Sequence, residues 1–102
     1  MDVSDVKKIS ECVEIAIMDA HDEEEQAEGW CQCLSDALSE IDDVEILGDI
    51  AQYQGVVLRG NQVLAKIRRN KKSARVSLDS LTFLHAPRHV RVWVKAYNKY
   101  WI

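Results

Sequence analysis

Two hydrophobic periods divide the chain. In the first half Val6, Ile9, Val13 and Ile17 recur every three to four residues, with Cys12 and Ala16 alongside and Asp5 and Glu14 off the stripe. That spacing predicts an amphipathic helix, with Ser4 placed to cap it. The stripe breaks over residues 19–22 and resumes as Ala27, Trp30, Cys31, Leu34, Leu38 and Ile41. Asp22 is placed to cap this second helix, and Glu25 stands three residues on, as in a capping box with Asp for the usual Ser or Thr. Glu23, Glu24 and Glu25 fill its first turn, where the positive end of the helix dipole favours them. Asp42 and Asp43 are expected to end it. The prediction is a helical hairpin over residues 4–41.

From Val44 the period shortens to two. Val44 and Ile46 precede a run from Gln52 to Arg59 rich in Tyr, Val and Leu, and Gly60-Asn61 marks a tight turn. Val63, Ala65 and Ile67 then alternate with Gln62, Leu64, Lys66 and Arg68, and after a turn at 70–73 Ala74, Val76 and Leu78 alternate again. A β meander over 44–84 follows, closed by a short turn at 79–84. In the tail, Val90, Val92 and Val94 fit a strand, whereas Val90, Trp93, Val94, Tyr97 and Trp101 fit one helical face. Pro87 at the start favours a helix over 88–100. The predicted class is α+β: an N-terminal helical hairpin, a small antiparallel sheet or SH3-like barrel, and a C-terminal helix. All 102 residues are expected to form a single domain.

Charge sharpens this picture. Residues 1–50 hold sixteen of the seventeen acids against Lys7 and Lys8, a balance of −14, and residues 51–102 hold eleven cations against Asp79, a balance of +10; together they give the net −4. Most of these charges are expected to neutralise one another between the two halves. No apolar run approaches the ~20 residues of a membrane span, and the start MDVSDVKK has no basic-then-apolar leader pattern. Three cysteines cannot close a complete set of internal disulfides. A cytoplasmic protein with reduced thiols is the expectation.

The chemistry concentrates at the elbow between the two helices. Asp19, Asp22, Glu23, Glu24, Glu25 and Glu28 bring six carboxylates into ten residues. Carboxylate oxygens are the hard donors that Ca²⁺ takes in flexible geometry, and a cation would relieve their mutual repulsion. The segment is not an EF-hand loop, because Trp30 stands where the twelfth-position acid belongs. The competing reading is a solvated, capped helix start.

The stretch Asp19-Ala20-His21-Asp22-Glu23-Glu24-Glu25-Gln26-Ala27-Glu28-Gly29-Trp30, followed by Leu34, Asp36 and Leu38, resembles small bacterial calcium-binding proteins of the CcbP type. Looser similarity continues through Val44 to Gly48, Val63 to Arg69, Val76 to Leu81 and the tail from Trp93 to Trp101. The resemblance implies a helical N-terminal part over a small β-barrel, and calcium binding through acidic side chains. Asp19, Glu24 and Glu25 stand at matching positions, as do Gln26, Gly29 and Trp30, these last as architecture. His21 replaces Tyr and Asp22 replaces Gly in the pattern, and the segment between the second helix and Val44 is shortened. The resulting expectation is weak, reversible Ca²⁺ binding at the elbow, on the order of 10⁻⁵–10⁻³ M, in a small buffer or sensor.

Other chemistry is weaker. Cys31 and Cys33 diverge by about 200° on a helix and cannot share a metal, whereas Cys12 and Cys31 are placed to meet at the helix contact. His85 and His89 flank Pro87, yet no spacing pairs them with Ser73, Ser77 or Ser80 as nucleophile, and no phosphate-loop or metalloprotease motif is present. The expectation is therefore no enzyme. One alternative is an interaction module that homodimerises through Trp93, Tyr97, Tyr100 and Trp101. Another is nucleic-acid binding by Lys66, Arg68, Arg69, Lys71, Lys72 and Arg75, with Tyr53 or Trp93 stacking bases; the acidic pI of about 5.3 argues against it.

Overall fold

The computed structural model describes residues 3, 6–18, 20–83 and 86–101. The elements run α1 (Ile9–Ile17), α2 (Glu23–Ala37), β1 (Asp43–Ile46), β2 (Asp49–Arg59), β3 (Gln62–Arg69), β4 (Lys72–Ser77), a 3₁₀ turn (Leu78–Ser80) and α3 (Arg88–Tyr100). The helical reading of the tail is correct, with Pro87 as its N-cap. No helix among the described residues is long and apolar enough to cross a membrane.

Both helix starts of the hairpin are held by carboxylates. Ser4 lies outside the described residues, and the N-cap of α1 is Lys8. There the Glu11 carboxylate accepts from the backbone N–H groups of Lys7 and Lys8, at 3.2 and 3.0 Å. α2 starts after Asp22 as expected but ends at Ala37, short of Asp42. The reason is the sheet. Asp43 pairs with Gln52 in β1, and the Asp42 carbonyl accepts from Tyr53 N–H at 2.7 Å, so the two aspartates open a strand instead of closing a helix.

The four strands form one antiparallel sheet in the order β1-β2-β3-β4. Leu47 and Gly48 join β1 to β2, and Asn70 and Lys71 join β3 to β4, all four with positive φ, as the tightest hairpins require. Gly55, at φ +119°, lies in the register shift between Tyr53 and Val56, where β2 bulges.

The SH3-like barrel is not formed. Closure would need β1 and β4 to pair, and they stand at opposite edges of an open sheet. On the edge away from β2, β1 instead makes an isolated bridge between Glu45 and Thr82. The physical reason lies in β4: Lys72, Ser73, Ala74 and Arg75 are all exposed, so that strand brings little apolar surface to reward closure. Helices supply the cover, since Val63, Ala65 and Ile67 of β3 are buried in one cluster with Ala27, Trp30 and Leu34 of α2 and Val90, Trp93 and Tyr97 of α3.

Trp30 is the centre of this cluster. Its ring meets Trp93 edge-on at 6.1 Å between centroids and Tyr97 at 5.8 Å. Each α3 aromatic also satisfies a polar group: Trp93 Nε1 donates to the Val3 carbonyl at 2.8 Å, and the Tyr97 hydroxyl accepts from Val63 N–H at 2.8 Å. Elsewhere α1 and α2 touch backbone to backbone, because a Cβ placed on Gly29 would lie 2.0 Å from the Ala16 carbonyl oxygen.

Gly29→Ala therefore sets two effects against each other. Alanine gains about 1 kcal/mol of helix propensity, while forcing a methyl against a backbone carbonyl costs about 1–3 kcal/mol or more. The contact atom is backbone and cannot swing away, so urea unfolding should show a net loss of about 1–2 kcal/mol. Tyr97→Phe keeps the ring packing but strands the buried Val63 N–H, and should cost about 1–3 kcal/mol in the same assay.

Candidate functional site

The elbow carboxylates divide into two sets. Asp22 accepts from Glu25 N–H at 2.8 Å, and the Glu25 carboxylate accepts from His21 N–H at 2.7 Å, one residue earlier than in a standard capping box. Asp22 and Glu25 thus serve the helix start. Glu23, Glu24 and Glu28 are exposed, with Glu24 and Glu28 one turn apart. Asp19 lies outside the described residues. Among the described residues, no three His, Cys, Asp or Glu side chains converge as a metal site requires. The elbow also lies at the N-terminus of α2, where the helix dipole stabilises carboxylates and opposes a cation.

The other end of α2 has the reverse polarity. A cavity of about 760 Å³ opens there, with a mainly apolar wall that includes Ile41, Val44 and Val90 and with Asp36, Glu40, Asp42 and Asp43 also on its lining. The last turn of α2 holds no basic residue, so the negative carbonyl end of the helix faces this acidic bowl unneutralised. Sequence reasoning passed over these carboxylates because Asp42 and Asp43 were assigned to ending the helix. The available signal was four acids between Asp36 and Asp43.

The basic half is not neutralised as expected. Among the described residues one ion pair forms, Arg69 with Asp49 at 2.9 Å. Lys66 and Arg75 stand directly opposite each other on β3 and β4, and with Arg59 they line a shallow cavity. Tyr53 and Trp93, the aromatics expected to stack bases, are buried in the core. Trp93 and Tyr97 are likewise core residues, which leaves Tyr100 exposed and Trp101 half-buried from the proposed dimer surface. His85 lies outside the described residues. The Ser77 and Ser80 hydroxyls lie 3.0 Å apart and face each other.

The three cysteines are free thiols. Cys12 is fully buried, and burial first, then the neighbouring Glu11 and Cys33, pushes its thiol from the ordinary 9.0 up to about 12. Burial raises the Cys31 and Cys33 thiols as well, and lifts the Tyr53 phenol from 10.0 to about 12.

The unfolded chain, with ordinary ionisation near 9.0 and 10.0, releases these protons before the folded chain does. Their contribution to stability is whole below about pH 9 and is lost as pH rises toward 12. Urea midpoints in reductant should therefore fall from pH 8.5 to pH 11, and Cys12→Ala should flatten that slope.

The architecture on which these sites stand is shared with two solved structures. The crystal structure of Anabaena CcbP matches with a TM-score of 0.77 over 92% of this chain and 91% of that one, at 14% identity. A calcium-binding protein solved in its calcium-binding form matches with a TM-score of 0.74 over 98% and 94%, also at 14% identity. The resemblance to the CcbP type seen in the elbow sequence thus extends to the fold of nearly the whole chain. No family model and no curated protein matches the sequence.

Proposed function

We propose that this chain binds Ca²⁺ weakly and reversibly, as a small acidic buffer or sensor. The observation that carries the reading is the fold shared over 92% of the chain with CcbP, together with a second match to a protein in its calcium-binding form. The distribution of charge supports it, since exposed carboxylates crowd both ends of α2. They are not gathered around a common point, so an ion must draw them together at the cost of side-chain freedom and mutual repulsion. Such a site belongs at the weak end of the calcium range, on the order of 10⁻⁴–10⁻³ M.

Of the two acidic ends, the bowl of Asp36, Glu40, Asp42 and Asp43 has the helix dipole in its favour. At the elbow, Asp19, Asp22, Glu23, Glu24, Glu25 and Glu28 form the second location; there the dipole works against the ion, and Asp22 and Glu25 would have to give up part of their capping role.

Titrating Ca²⁺ into the metal-stripped, ¹⁵N-labelled protein should give saturable amide shifts, much weaker with Mg²⁺. Asp42→Asn with Asp43→Asn should weaken binding about tenfold or more, and Asp19→Asn with Glu24→Gln should weaken it less. Shifts that never saturate and spread over every acidic segment would reject the reading in favour of counterion screening.

A further inference from the structure

The contact between α1 and α2 sets the register of their cysteines. Ala16 of α1 meets Gly29 of α2 with backbone touching backbone. One turn back along α1 from Ala16 stands Cys12, and one turn forward along α2 from Gly29 stands Cys33. Each step covers about 6 Å and keeps the residue on the same helical face. In two neighbouring helices that run back along each other, the four positions form two rungs: Ala16 with Gly29, then Cys12 with Cys33. The glycine draws the helices together to a separation that larger residues would prevent. Cys31, two positions before Cys33, points about 200° away from this seam.

We propose that Cys12 and Cys33 form a reversible disulfide that staples α1 to α2. A disulfide needs Cα atoms about 4.4–6.8 Å apart, a spacing within reach one turn from a backbone contact. The chemistry requires an oxidant, here a low-molecular-weight disulfide such as oxidised glutathione. Cys33, only partly buried, attacks it as thiolate; a mixed disulfide forms and one small thiol leaves. Cys12 then loses its proton and attacks the Cys33 sulfur, releasing the second small thiol. The protein gives up two protons and two electrons, and the oxidant's S–S bond is reduced. Burial of both thiols slows each attack near neutral pH, so formation should quicken toward pH 9. The closed loop spans residues 13–32 and therefore contains the elbow.

Oxidised glutathione at pH 8.5, followed by removal of excess reagent, tests this on the full chain. No Lys or Arg lies between Lys8 and Arg59, so digestion should use a protease that cleaves after Glu. The expected product joins peptide 12–14 to peptide 29–40, with the intact protein ~2 Da lighter. Cys31→Ser should retain the bond, and Cys33→Ser should lose it. The oxidised Cys31→Ser protein should melt at least about 5 °C higher, reversibly on reduction. If that variant, shown folded by circular dichroism, keeps both thiols free or links only between molecules, the proposal is overturned. A bond from Cys12 to Cys31 in the unsubstituted protein would overturn it equally.

Discussion

The packing of Trp30 against Trp93 and Tyr97 is the interaction on which the other elements depend. Three rings from two helices meet at T-shaped angles, a geometry that adds about 0.5–1.5 kcal/mol per pair beyond simple burial. Each α3 ring then passes its position on. Tyr97 fixes the start of β3 through Val63, and Trp93 ties down the backbone at Val3. Sheet, hairpin and C-terminal helix are thereby referred to one point, and an open sheet suffices because the helices close the core.

α2 carries that junction at its middle and the acidic groups at its ends. The same helix therefore imposes opposite fields on two similar sets of carboxylates. At the elbow the field rewards the carboxylates themselves, and two of them complete their role by holding backbone N–H groups. At the bowl the Gln32 side-chain amide donates to Asp36 at 3.2 Å, and the field adds to the negative charge. Two clusters of acids close in sequence thus need not stand in the same field.

Much of the fold was legible in one dimension. The change of period near Val44, the Asp22 cap, the strand Gln62–Arg69 and the helix after Pro87 all follow from local rules about spacing, capping and chain geometry. Less of the candidate site was legible. Asp42 and Asp43 looked like a helix stop because a run of acids ends a helix plausibly in isolation; their actual role depends on pairing with Tyr53 and Gln52, eleven and nine residues away. The cysteines were no more legible, since helix phase shows that Cys31 and Cys33 diverge but not which of them faces α1.

The sequence by itself determined the elements, the polarity of their charge and the capping of α2, because each rests on residues within a turn or two of one another. Tertiary structure alone decided that the sheet stays open, that Trp93 and Tyr97 of the tail are core while Tyr100 stays exposed, and that Gly29 admits the Ala16 carbonyl. Those outcomes depend on which faces meet and how closely, and no local period encodes the distance between two helices.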